Sequence, residues 1–356
     1  MKITDVKLKP CIMRKEDPTW RFALGASPIT EGLIVSVETG EGLTGYGYAS
    51  ATAHMGASME GLTGNLERLI PHVKEYDALE MSAIRIKMDQ ALSGNNQAKA
   101  AIDNALFDLA AKSMNVPLNR LFGGAVRTQF PVLRILAIKS PEEMAEQAQI
   151  LFDQGYRYFK IKVHGDVNLD IARVAAIRKR LGEEANLTVD ANQAYSPKDA
   201  IAALNGMATY RLDLVEQPVP IDDYKGMKLV TDSVPVTVEA DESAGSIQEV
   251  AYLVENRIVD AISLKVAKLG GLWNTLIAAQ ICKTGNIRYR FGAHVGSRLL
   301  NAHAMQLASS LPDLWYASEF GEFARLLDDP FEGIDVVGGF IQIPNAVGAG
   351  VKPIGT

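Results

Sequence analysis

Residues 156–190 read YRYFKIKVHGDVNLDIARVAAIRKRLGEEANLTVD. A short apolar run ends on Lys162, a helix-period segment follows over 168–182, and a second apolar run, NLTVD, ends on Asp190. The unit recurs on both sides. FPVLRILAI, from residue 130, leads to a helix over 141–153, NLTVD to one over 197–208 and LDLVE to one over 222–230. VTVEAD leads to 246–255, VDAISLK to 271–285 and IRYRFGA to 297–310, and LWYASE is the eighth strand. The charged ends of the second to sixth strands, Lys162, Asp190, Glu216, Asp241 and Lys265, are spaced by 28, 26, 25 and 24 residues, the size of a βα unit. Eight such units predict an α/β fold, a (β/α)8 TIM-type barrel over 126–320, with its active site at the C-terminal ends of the strands.

Outside this stretch the texture differs. Over residues 1–125, ITDVKLKP, GLIVSVET and LTGYGYAS alternate as antiparallel strands, and 57–92 and 97–114 have helical spacing, giving an α+β capping domain. On the second helix Ala101, Ile102, Ala105, Leu106 and Leu109 form an apolar face. Gly40-Glu41-Gly42-Leu43-Thr44-Gly45 is a formal G-x-G-x-x-G, but it joins two strands and so reads as a hairpin turn, which disfavours a dinucleotide cofactor. Residues 321–356, with GGFIQIPNAVGAGVKP, are strand and turn that return to the first domain.

With 356 residues, 47% hydrophobic and 22% charged, the chain has ample material for a large core. A net charge of −6 disfavours nucleic acid and anionic membranes as partners. Cys11 and Cys282 match neither a disulfide framework nor a metal spacing, and the N-terminus reads as a strand, not a signal peptide. No run approaches a membrane span. A cytoplasmic homo-oligomer is expected, with a small-molecule carboxylate as substrate.

The charged strand ends carry the chemistry. Asp190, Glu216 and Asp241 end successive strands and converge above the barrel, where three carboxylates repel one another unless a cation neutralises them. An all-oxygen set suits Mg²⁺, with Mn²⁺ as a substitute. Lys162 and Lys265 are four strands apart in a ring of eight, so they face each other across whatever the metal holds. Opposed bases are what a reaction needs when a proton leaves one face of a carbon and returns on the other. Such a lysine must have a lowered pKa, and Lys160, on the same face as Lys162, supplies part of that push by like-charge repulsion. Lys268, three residues past Lys265, could do likewise for that residue, though a solvated loop lysine is the preferred reading.

In order and spacing, Lys160-Ile-Lys162, Asp190-Ala191-Asn192, Glu216-Gln217-Pro218, Asp241-Glu242-Ser243 and Lys265-x-x-Lys268-x-Gly270-Gly271 resemble the motifs of the enolase superfamily, in its muconate-lactonizing-enzyme subgroup. AAIDNALFDL and the following LFGG resemble the capping-domain helix and linker of that subgroup. The resemblance implies that a substrate carboxylate binds Mg²⁺ held by Asp190, Glu216 and Asp241, while a lysine, Lys162 or Lys265, removes the α-proton to give an enediolate. It implies that two capping loops close the site, Lys15–Ser27 with Trp20, Arg21 and Phe22, and Ala51–Ser58 with His54 and Met55. The aromatics predict an apolar or cationic distal group on the substrate, whereas Arg21 would meet an acidic one. Where dipeptide epimerases carry Asp-x-Asp, this chain has Ser318-Glu319-Phe320-Gly321-Glu322, so Glu319 and Phe320 are the candidate substrate contacts there. Acid-sugar dehydratases pair a seventh-strand His with a sixth-strand Asp. Here His294 has no such Asp, since Lys265 ends the sixth strand, and it is expected to line the pocket or to hydrogen-bond, in preference to acting as a base. The preferred activity is a racemase or epimerase of an amino-acid derivative, with cycloisomerisation or dehydration through the same intermediate as the alternative. A non-catalytic barrel would be expected to have lost a ligand or a base, and none is missing.

Overall fold

Alternation in the first fifty residues builds three long antiparallel strands, β1 (Ile3–Arg14), β2 (Ile29–Thr39) and β3 (Thr44–Ser50), joined in that order. The computed structural model describes residues 1–355, His54 through its backbone only. Gly40–Gly45 is the hairpin turn between β2 and β3, with the Gly42 N–H donating to Thr39 O. Helices α1 (Met59–Leu69), α2 (Met81–Ala91) and α3 (Asn96–Ser113) follow.

The amphipathic reading of α3 is corrected: every residue from Gln97 to Ala111 is buried. One side lies on the sheet so closely that a Cβ at Gly47 would stand 1.9 Å from Ala101 O, and one at Gly45 2.1 Å from Ala105 O. The glycines of LTGYGYAS therefore serve this approach of helix to strand. At its start Asn96 Nδ2 donates to Gly245 O and Lys268 O, both at 3.0 Å, tying α3 to two loops of the barrel.

The βα repeat forms one parallel sheet in chain order. Its strands are β4 (Leu133–Leu136), β5 (Tyr158–Lys162), β6 (Asn186–Asp190), β7 (Leu212–Glu216), β8 (Thr237–Ala240), β9 (Ala261–Leu264) and β10 (Arg288–Phe291). The intervening helices are α4 (Pro141–Asp153), α5 (Val167–Leu181), α6 (Pro197–Ala208), α7 (Tyr224–Ser233), α8 (Ile247–Glu255), α9 (Val266–Leu269) and α10 (Leu272–Thr284), with α11 (Arg298–Ser309) after β10. Ser140, Asp166, Ser196, Asp223 and Ser246 each accept the backbone N–H three residues on, a cap worth about 1 kcal/mol that fixes where each helix begins.

LWYASE is not a regular eighth strand. It closes the barrel as an extended segment: the Trp315 and Glu319 N–H groups donate to Tyr289 O and Phe291 O of β10, and Leu133 N–H of β4 donates to Ser318 O. In the tail, Gly348 exchanges hydrogen bonds with Val116 and Leu118, and Ala349 N–H donates to Asp108. Among the described residues no helix is long and apolar enough to cross a membrane.

Candidate active site

The parallel register sets the geometry. Lys162 on β5 lies opposite Asp190 on β6, which lies opposite Glu216 on β7, which lies opposite Glu239 on β8; Asp241 follows two residues beyond. Just past two of these strands the backbone turns left-handed at non-glycine residues, Asn192 (φ 41°) and Gln217 (φ 39°), a strain on the order of 1 kcal/mol each. The turns have uses. Asn192 accepts from Lys162 Nζ at 2.7 Å, and Gln217 Oε1 accepts from the backbone N–H groups of Asp241 and Ser243, at 3.0 and 3.2 Å.

The three carboxylates are buried and, contrary to the expectation of unpaired acids, each already has cationic partners. Lys162 Nζ is 2.5 Å from Asp190, and Lys160 Nζ is 3.1 Å from Asp190 and 2.8 Å from Glu216. Lys265 and Lys268 both hold Asp241, at 2.5 and 2.8 Å. Burial alone would push the Asp190 and Asp241 carboxyls up, but the adjoining ammoniums outweigh it and hold both below the usual range. Glu216 goes the other way, raised chiefly by burial.

One expectation about the lysines fails here. Lys268 is buried, bonding Asp241 and Ser263 O, in a short helix that Gly270 ends in a left-handed conformation. At Lys265 burial lowers the pKa, but Asp241 and Glu216 more than compensate and raise it. Lys160 is itself raised, burial notwithstanding, by Glu216, Glu319 and Asp190, so it acts as a fixed counter-charge.

Below this layer lies a charged floor that the sequence reading missed. Arg290 of β10 is fully buried and bonds Glu216, Glu239 (2.6 Å) and Glu319. Glu239 and Arg290 are detectable in principle, since they stand at inward-facing positions of parallel strands, where unpaired charge has no other place.

Lys162, Lys265, Lys160, Asp190 and Asn192 open onto one cavity of about 480 Å³ under the capping loop. Trp20 and Phe22 line it, their ring centroids 5.8 Å apart, with Lys162 Nζ 5.7 Å from the Phe22 centroid. Arg21 is exposed. His54, whose side chain lies outside the described residues, adds nothing to this picture.

Three expected substrate contacts are corrected. His294 uses both ring nitrogens on backbone: Val266 N–H donates to Nε2 at 3.0 Å and Nδ1 meets Gly292 O at 2.8 Å. Burial pushes its pKa down to about 3, so it is a neutral clamp between two loops. Glu319 is fully buried, its Oε1 bonded by Lys160 and Arg290. Phe320 is core, packed on Phe130 and Phe291 at 5.0 and 5.6 Å. Glu319 and Phe320 follow the closing segment into the barrel, His294 is held between two loops, and none of the three lines the cavity.

The donor set fits a hard divalent cation by type. It is all carboxylate, and Glu216 Oε1 is a buried carboxyl oxygen with no hydrogen-bond partner. Among the described residues no three such groups converge as a ready metal cage, because each is drawn to a lysine.

A parallel barrel with opposed lysines and three acids at its mouth, under an α+β cap, defines a class of enzyme. Residues 143–354 match the enolase C-terminal domain-like family, and 10–123 the N-terminal domain of mandelate racemase / muconate lactonizing enzyme. A hydrophobic dipeptide epimerase of Enterococcus faecalis (strain V583) is 36% identical over 293 residues, 82% of each chain. A chloromuconate cycloisomerase of Pseudomonas sp. (strain P51) is 32% identical over 253 residues, 70% of this chain and 68% of that one. The crystal structure of the E. faecalis V583 dipeptide epimerase with Mg and L-Leu-L-Tyr matches at a TM-score of 0.95 and 32% identity, covering 99% of this chain and 100% of the other. The chain therefore belongs to the enolase superfamily, in its muconate-lactonizing-enzyme subgroup, and is an isomerase.

Proposed function

We propose that this isomerase is a racemase or epimerase, moving the proton α to a carboxylate in an amino-acid derivative between Lys162 and Lys265. The observation that carries the reading is the position of the two ammoniums: β5 and β9 are four strands apart, yet both lysines open onto the same cavity. A planar carbon held between them would meet a base on each face, within the ~3 Å that proton transfer needs. The dipeptide bound by the E. faecalis epimerase supports an amino-acid derivative as substrate.

Asp190, Glu216 and Asp241 would hold Mg²⁺, which when bound supplies positive charge that steadies the substrate carboxylate as its α-proton leaves. Carboxylates so engaged would hold Lys162 and Lys265 less tightly, leaving one free to take a proton and the other to give one. Lys160 and Arg290 keep their charge and hold Glu216 and Glu319 in place beneath the reacting carbon. Trp20, Phe22 and Leu24 line the cavity with apolar surface.

The test is NMR in D₂O with pooled N-acylated amino acids and dipeptides. Loss of the α-proton signal, abolished by EDTA and restored by Mg²⁺ or Mn²⁺, is the expected result. Full exchange in metal-stripped protein, or conversion of a muconate with no exchange on any amino-acid derivative, would overturn the reading.

A further inference from the structure

The wall of the cavity beneath the capping loop carries a charge that proton transfer does not use. Lys15 follows β1 directly, and its backbone is fixed on two sides: its N–H donates to Pro28 O, and it bridges Leu326. The neighbouring Glu16 N–H donates to Arg325 O. The ammonium donates to Ser27 Oγ at 2.8 Å and lies 4.2 Å from the Trp20 ring centroid. Among the described residues it makes no ion pair.

Burial and the two charges that act on it, Arg325 and Lys162, both positive, push its pKa down to about 7. Two of the acids on the same wall, Glu322 and Asp190, are engaged by other cations. Glu322 pairs with Arg325, and Asp190 with Lys160 and Lys162. Glu31, on β2 opposite Ile12, makes no ion pair with Lys15. Trp20, Leu24, Ile29 and Leu326 give the wall its apolar part, and Arg325, paired with Glu322, lies 5.2 Å from the centroid of the same Trp20 ring.

A partly buried ammonium with no counter-ion is unfavourable until something negative joins it. A cationic distal group, one of the two kinds the aromatic rings alone predict, is repelled by Lys15. Two rings, Phe22 and Trp20, separate this ammonium from Lys162, room for an apolar spacer between the reacting carbon and a remote charge.

We infer that Lys15 selects substrates bearing a second negative charge: a carboxylate on the acyl group or side chain, remote from the carbon that exchanges its proton. The inference rests on the proposed function only in that this cavity takes the substrate. Arg21, which the sequence would choose for that role, is exposed and outside the cavity.

The test is calorimetric binding to the Mg²⁺-loaded protein of two pairs matched except in charge: N-succinyl- against N-succinamoyl-L-alanine, and N-acetyl-L-glutamate against N-acetyl-L-glutamine. At low salt the parent should bind at least one acid about tenfold or more tightly than its amide. Lys15→Met should bring that ratio to within about threefold, and Lys15→Arg should restore it. Acid and amide binding alike in the parent, neither acid binding, or a ratio unchanged in Lys15→Met would each overturn the inference. Should Lys15→Met fail to fold, the parent's ratio decides by its salt dependence: collapse of the preference at 1 M salt supports the inference, and persistence overturns it. Proton exchange is read separately, so selective binding without exchange would sink the proposed reaction and leave the anion site standing.

Discussion

Replacing His294 separates a structural histidine from a catalytic one. The ring accepts from Val266 N–H, approaches Gly292 O, and lies among Phe291 and Phe320, wholly buried. In His294→Ala a buried N–H and a carbonyl lose their partners, which costs about 1–3 kcal/mol at pH 7. The pH dependence makes the prediction sharper. Burial holds the imidazole near 3 against an ordinary value of 6.5, so between those limits the unfolded chain binds a proton that the native state refuses. The stability associated with neutral His294 is complete above pH 6.5 and falls by about 1.36 kcal/mol per unit below it. At pH 5 the parent has lost about 2 kcal/mol through this group, and the variant has not. Urea denaturation at pH 7 and pH 5 should therefore show the gap between the two proteins shrinking by about 2 kcal/mol on acidification. An unchanged gap, or full stability with a collapse of kcat, would refute the structural role.

Arg290→Met should destabilise the protein by about 3–5 kcal/mol in urea titrations, because it leaves Lys160 alone against Glu216, Glu239 and Glu319; a loss under about 1 kcal/mol would mean the floor is not held by charge. Gly47→Ala should cost about 1–3 kcal/mol or more, since its Cβ meets helix backbone, whereas exposed Gly64→Ala in α1 should gain about 0.5–1 kcal/mol; thermal melts compare the pair. Asp241→Asn should weaken Mg²⁺ binding, read by calorimetry, while leaving the fold intact, and a parental affinity would remove Asp241 from the ligand set.

The five charged strand ends were legible because a βα repeat of nearly constant length turns sequence spacing into angular position around a barrel. Their partners were less so. That Asp190 and Asp241 sit against lysines follows from side-chain reach across a register, which spacing does not express. Glu239 and Arg290 could have been found by extending the inward parity of VTVEAD and IRYRF one step further from the mouth. Glu319 and Phe320 were misplaced for a common reason. The segment after β10 closes the barrel by isolated hydrogen bonds, and no periodicity says which of its side chains point down into the core. The all-round burial of α3 is likewise a property of two surfaces meeting on one helix, of which its own sequence records only the apolar half. Lys15 stood in view at a strand end, but its lack of a counter-ion exists only in three dimensions.

The two-lysine assignment is tested most directly by α-proton exchange in D₂O, starting separately from each enantiomer of a good substrate, with Lys162→Ala and Lys265→Ala. Each variant should lose interconversion and keep some exchange from one enantiomer only, and the retained enantiomer should be opposite in the two. Near-parental racemisation by Lys265→Ala, or the same enantiomer retained in both variants, would contradict proton transfer between opposed lysines.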